Sequence, residues 1–145
     1  MNFLNALDIS SSGLSSQRTR MNLIAMNLSH MQTTRTPEGG PYRRKMPVFD
    51  TQPLFQGFRG NLRESLDREL EDVQVNEVVQ DRRDFKMVFD PSHPDADEFG
   101  YVLMPNINVV EEMVDMISAK RGYEANVTAV KASQNMALKA LDILG

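Results

Sequence analysis

The residues with the most chemical potential in this chain crowd into DPSHPDADE, where Asp90, His93, Asp95, Asp97 and Glu98 sit close together. Imidazole and carboxylate groups two to four residues apart could coordinate a hard or borderline divalent metal, or work together in proton transfer. The spacing fits no calcium loop, because the glycine and the terminal bidentate glutamate of that motif are missing. Two prolines interrupt the run, so it reads as a structural turn. His30 is the only other histidine, and near a helix end it reads as a solvated or capping residue.

Other candidate chemistry is thinner. SSSGLSS has hydroxyls but no strained GxSxG elbow, and Ser10, Ser11 and Ser12 read as a flexible lead-in or a helix cap. Tyr42, Arg43, Arg44 and Lys45, with Arg35 upstream, could meet phosphates. The run is short, however, and the protein is acidic overall, with a net charge of −4 and a pI near 5.2, whereas nucleic-acid binders show a basic surplus. A solvated or salt-bridging loop is the better reading. Gly39 and Gly40 are followed by no GK[ST], so they form no phosphate loop. With no cysteine, disulfides, thiolate metal sites and cysteine nucleophiles are all excluded. The residues therefore predict no catalytic centre, metal, cofactor, small-molecule substrate or nucleic-acid partner.

The elements around these residues are more informative. At 145 residues and 41% hydrophobic content the chain can form one ordinary core. Charge is uneven: residues 1–48 hold six basic and two acidic side chains, and the rest hold ten and eighteen. The two ends can therefore attract, within one copy or between copies. MNFLNALDISSSGL lacks the basic start and unbroken apolar run of a secretory signal, and no stretch approaches the roughly 20 apolar residues of a membrane span. These features predict a cytoplasmic protein, or one exported without a cleaved signal, and no membrane insertion.

In SGLSSQRTRMNLIAMNLSHMQTT, Leu14, Met21 and Leu28 recur every seven residues, with Ile24 and Met31 between them. Gln17, Arg18, Arg20, Asn22, Asn27 and Ser29 surround this stripe, so only one face can be covered. The helix should end by Thr33 or Thr34, where TTRTPEGGPYRRK brings two prolines and two glycines. NLRESLDRELED is either a surface helical turn or a mobile loop. VQVNEVVQD and DFKMVF alternate as strands, and QDRRD suits a hairpin connection between them, with DPSHPDADEFG closing the strand region. From Asn108 to the end, Val109, Met113, Met116, Tyr123, Val127, Val130, Ala137, Leu141 and Leu144 follow three- and four-residue steps, with Lys120 and Gln134 as polar interruptions of the stripe. A helix of roughly 36 residues is about 54 Å long, longer than the about 40 Å width of a globule of this size.

The expected fold is mainly α: long N- and C-terminal helices paired as an antiparallel coiled coil, with a small β-hairpin region between them. Residues 1–34 supply the first helix, 35–105 the loop and β region, and 106–145 the last helix. Within one subunit Leu14, Met21, Ile24 and Leu28 should pack on Met113, Met116, Tyr123, Val127, Val130, Leu141 and Leu144. Off the stripe, Leu23, Met26, Val114, Ile117 and Met136, together with Arg43, Arg44 and Lys45, are candidates for contact with neighbouring copies. Ten methionines suit such adaptable surfaces.

SGLSSQRTRMNLIAMNLSHMQTT resembles the N-terminal signature of the axial proteins of the bacterial flagellum, and RGYEANVTAVKASQNMALKALDILG resembles their C-terminal signature. TTRTPEGGPYRRK, VQVNEVVQD, DFKMVFDPSHPDAD and GYVLMPNINVVEEMVDMI narrow the likeness to the proximal-rod branch. Gly122 stands where that family usually has Ala in RAYEAN, and Ser29 and His30 stand where Ala and Asn are commoner. The resemblance implies a structural subunit of the periplasm-spanning rod, exported by the flagellar type III system without signal cleavage. Its implied partners are copies of itself, other proximal-rod subunits, the adaptor at the export gate and membrane ring, and the distal rod. It also implies terminal segments that order on assembly. The competing readings from residues alone are a metal-dependent enzyme built on DPSHPDAD and a free-standing coiled-coil adaptor.

Overall fold

The computed structural model describes residues 3–53 and 71–144. Helix α1 (Phe3–Ser29) leads to strand β1 (Lys45–Pro53), then β2 (Glu71–Gln80), β3 (Lys86–Phe89), β4 (Tyr101–Met104) and helix α2 (Val109–Leu144). The molecule is mainly helical, with two small antiparallel sheets, β1 with β2 and β3 with β4, between the helices.

Helix α1 starts well before the serine run, which is neither lead-in nor cap. Ser10 and Ser12 donate their hydroxyls to the carbonyls of Ala6 and Ile9, so serines that usually compete with the helix are satisfied on its own backbone. The helix stops at Ser29, earlier than Thr33 or Thr34, because the chain doubles back: Tyr42 N–H donates to the Thr33 carbonyl at 3.0 Å. Gly39 and Gly40, at φ 92° and 74°, supply the left-handed backbone of that reversal.

The β region differs from the sequence expectation. VQVNEVVQD and DFKMVF are both strands, but they do not form a hairpin with each other. β2 pairs with β1, running from Lys45 opposite Gln80 to Pro53 opposite Glu71, with an irregularity between Val48 and Phe49. β3 pairs with β4, Phe89 opposite Tyr101, so DPSHPDADEFG is the connection inside this second hairpin. β1 is hidden in the sequence because Pro47, Asp50 and Pro53 break its alternation; each strand of a two-stranded sheet is an edge, where proline is tolerated. QDRRD cannot close a hairpin because Asp81 is drawn away, its N–H donating to the Arg44 carbonyl at 2.8 Å. Of NLRESLDRELED, residues 61–70 lie outside the described residues, and Glu71 and Asp72 open β2.

Helix α2 begins where the sequence predicts. Asn108 caps it, its side-chain oxygen accepting from Val110 N–H at 3.1 Å and its carbonyl from Glu112 N–H at 3.0 Å. Glu111 and Glu112 in the first turn also suit the positive end of the helix dipole. Among the described residues the buried apolar set is small: Leu23, Ile24, Tyr42, Val102, Ile107 and Ala119. It lies where the second half of α1 meets the first half of α2 and the adjoining strands. Toward the other end, Leu138, Leu141 and Ile143 are exposed.

Candidate assembly interface

The centre of the molecule is polar. Asn27 is 1% exposed and Glu112 is 0% exposed, among the largest fully covered side chains described. Burial of such groups is costly unless every donor and acceptor is met. Asn27 meets all of its own: its amide donates to the Lys45 carbonyl at 2.9 Å and to Glu112 Oε2 at 3.1 Å. Its oxygen accepts from Lys45 N–H at 3.0 Å and from the Tyr42 hydroxyl at 3.2 Å. Asn27 thereby acts on Lys45 as a neighbouring strand would, holding the entry to β1 against α1.

Glu112 offers its other oxygen to the Arg44 guanidinium, which also faces Asp115 at 3.2 Å and Asp81 at 3.6 Å. Arg20 joins from α1, 3.0 Å from Asp115. Asn106 ties the back of the cluster, accepting from Arg44 N–H at 2.8 Å and donating to the carbonyls of Asp81 and Arg83. Burial pushes the Asp81 carboxyl up, but hydrogen bonds from the Arg83 backbone and side chain, with the Arg83 and Arg44 charges, outweigh it and lower the pKa. Burial raises the Tyr42 phenol, and the Glu112 charge adds to that rise.

Beyond this knot the helices meet through small and polar residues. Moving away from it, the contacts pass from Asn27 with Glu112 to Arg20 with Asp115, Gln17 against Gly122 and Gly13 against Asn126. A Cβ added at Gly13 would lie 2.7 Å from the Asn126 amide nitrogen, so the absence of a side chain sets the spacing there. At Gly122 a Cβ would meet the Gln17 amide carbon at 3.2 Å. Ser16, Ala119 and Ser133 are buried on the same faces. Two α1 hydroxyls reach the edge of β2: Ser16 donates to the Val73 carbonyl at 2.8 Å, and Val73 N–H donates to Ser12.

The expected seam residues are spread over both environments. Ile24 is buried; Leu14, Met21, Leu28, Met116, Tyr123, Val127 and Val130 are half-buried; Met113 and Leu141 are exposed; the Leu144 side chain lies outside the described set. Of the outward set, Met26, Val114, Ile117 and Met136 are exposed, and Leu23 is buried. The basic trio faces its own chain. Arg44 is absorbed in the knot, Arg43 lies over the Phe85 ring at 4.3 Å and donates to the Asp81 and Arg83 carbonyls, and the Lys45 backbone is clamped by Asn27. A cleft of about 650 Å³ beside this trio is lined by the stacked His30 and Tyr42 rings, Arg35 and Phe85.

The acidic run serves its own turn. The hydroxyl and N–H of Ser92 hydrogen-bond Asp90 and hold its carboxyl below the ordinary value. Asp97 accepts from the N–H groups of Phe99 and Tyr101, and His93 Nδ1 accepts from Asp95 N–H. Asp95 accepts from the Thr34 hydroxyl at 2.7 Å, tying the hairpin tip to the loop after α1. Among the described residues no group of three or more histidine, aspartate or glutamate side chains is arranged to hold a metal. Among the same residues no helix is long and apolar enough to cross a membrane.

Sequence reasoning missed the knot. It puts Asn27 on the polar flank and gives Glu112 no role. One signal was available: Asn27 follows Leu23 by four residues and Glu112 precedes Ala119 by seven, so each continues a buried row of its helix.

The C-terminal part of the chain, residues 100–143, matches the family model described as flagellar basal body rod FlgEFG protein C-terminal. Over its whole length the chain is similar to the flagellar basal-body rod protein FlgC of Borreliella burgdorferi, at 41% identity over 99% of both chains. The protein of that name from Bacillus subtilis is 39% identical over 99% of both chains, and that of Escherichia coli 37% identical over 99% of this chain and 98% of its own. Such likeness runs through the middle segments as well as the helical ends, and the chain belongs to the family of flagellar basal-body rod proteins FlgC.

Proposed function

We propose that this chain is a structural, non-enzymatic subunit of the flagellar basal-body rod, placed in its proximal part. The observation that carries this reading is end-to-end identity of 37–41% with proteins named for that rod. In the proposal α1 and α2 pair as an antiparallel coiled coil and stack helically with other copies and with other rod subunits, forming the wall of the export channel and a shaft that transmits torque. The subunit reaches the periplasm-spanning rod by type III export without a cleaved signal. Exposed Met26, Val114, Ile117, Met136 and Leu141 support helical stacking, since each offers apolar area to a neighbour along the same two helices. Close packing over many such contacts gives the stiffness torque transfer needs.

Complementation tests the reading. In cells lacking the native gene, the wild-type chain should restore rods and swimming, and Val127→Asp should restore neither, because assembly would bury an unpaired carboxylate at that half-buried position. Normal swimming with Val127→Asp would remove Val127 from the seam. Failure of the wild-type chain to enter purified basal bodies would remove the rod assignment. Exchange of TTRTPEGGPYRRK with the matching segment of a paralogous rod protein should shift where the subunit incorporates.

A further inference from the structure

The apolar stripes do not define one alignment of the helices. Leu14, Met21, Ile24 and Leu28 and, on α2, Val109, Met113, Met116, Tyr123, Val127 and Val130 lie on three- and four-residue steps, so a slip of one turn still sets most apolar residues against apolar residues. Farther along, Gly122 makes room for Gln17 and Gly13 for Asn126, a steric fit that agrees with this register. The knot occurs once. Asn27 satisfies its four hydrogen bonds only with Lys45 and Tyr42 on one side and Glu112 opposite. A four-residue slip of α2 would put Asn108 or Met116 in place of Glu112 and carry a fully buried carboxylate away from Arg44.

We infer that Asn27, Glu112 and Arg44 are positioning residues that pin the register between the two terminal helices. Arg44 and Lys45 lead directly into β1, so the same pin fixes how far along the helix pair the β layer stands. The cluster belongs to the type in which one buried polar group costs stability and selects a single alignment. The inference rests on the helix pairing proposed above, and its test separates the two.

The test uses the full-length chain, whose lack of cysteine leaves only the introduced pair to react. Gln17→Cys with Gly122→Cys reports the observed register; Gln17→Cys with Ser118→Cys, and with Asn126→Cys, report slips of one turn in either direction. After mild oxidation, intrachain links are read by mass. In the native background only the first pair should link efficiently. In a background of Asn27→Leu, Arg44→Met and Glu112→Leu, which replaces the cluster with apolar groups, the in-register link should fall several-fold and at least one slipped link should appear. Asn27→Leu alone keeps the Arg44 pair with Glu112 and supplies the same reading should the triple variant fail to fold. In-register links alone in the folded variants would overturn the pin. No link from any pair in the native background would overturn the pairing itself, and the pin with it.

Discussion

Two halves of the same helix pair follow different rules. Near Asn27 and Glu112 the helices are joined by the buried hydrogen bond between those two residues, with Arg44 paired to Glu112, and are backed by the β1–β2 sheet. Toward the far end they meet at Gly13 against Asn126 and Gly122 against Gln17, and Leu138, Leu141 and Ile143 are exposed, Ile143 at 85%. The first half closes its polar centre within one chain, while Met26, Val114 and Ile117 on its outer side stay exposed. The second leaves its apolar area for others to cover, and an isolated helix with such a face gains little from its own propensity. The difference teaches where a subunit of this kind holds a closed centre of its own and where it does not.

Breaking the knot should have the largest effect. Glu112→Ala leaves Arg44 buried beside the more distant Asp81 and Asp115, and should cost about 3 kcal/mol in urea unfolding of the free chain. Tyr42→Phe removes one hydrogen bond to Asn27 and should cost about 1 kcal/mol by the same assay. Asn108→Ala uncaps α2 at the knot end and should cost about 1 kcal/mol, read as lost helicity with a lower unfolding midpoint.

Acid sharpens the contrast. The Asp81 pKa is lower in the folded chain than the ordinary value of 3.8, so its stabilisation is present above that value and is lost as pH falls through the folded pKa. An acid titration of unfolding should therefore weaken the native chain below about pH 4, and Asp81→Asn should flatten that decline. The smallest effect on the free chain belongs to the far end. Ile143→Asp should change its stability by no more than about 0.5 kcal/mol, yet block entry into rods, scored in purified basal bodies.

How much of this was legible in the sequence follows the same divide. Both helices, the turn-rich break after α1 and the β2 and β3 segments are readable, because they rest on local periodicity and on Pro and Gly punctuation. Strand pairing is not: β1 carries Pro47 and Pro53, and its first residue, Lys45, is anchored by Asn27 across 18 positions. The knot is harder still. Asn27, Arg44, Asp81 and Glu112 each look like solvated residues, and only their convergence from four parts of the chain turns them into a core. Gly122 is readable as a weak point of the helix relative to Ala, worth up to about 1 kcal/mol; the structure adds that its missing Cβ makes room for Gln17.

Amide hydrogen exchange along the free, full-length chain tests this division most directly. Slow exchange around Asn27 and through the first turns of α2, with fast exchange over residues 131–144, is the expected pattern, since local opening follows sparse burial. Uniform protection along both helices, or slower exchange at the far end than at the knot, would contradict it.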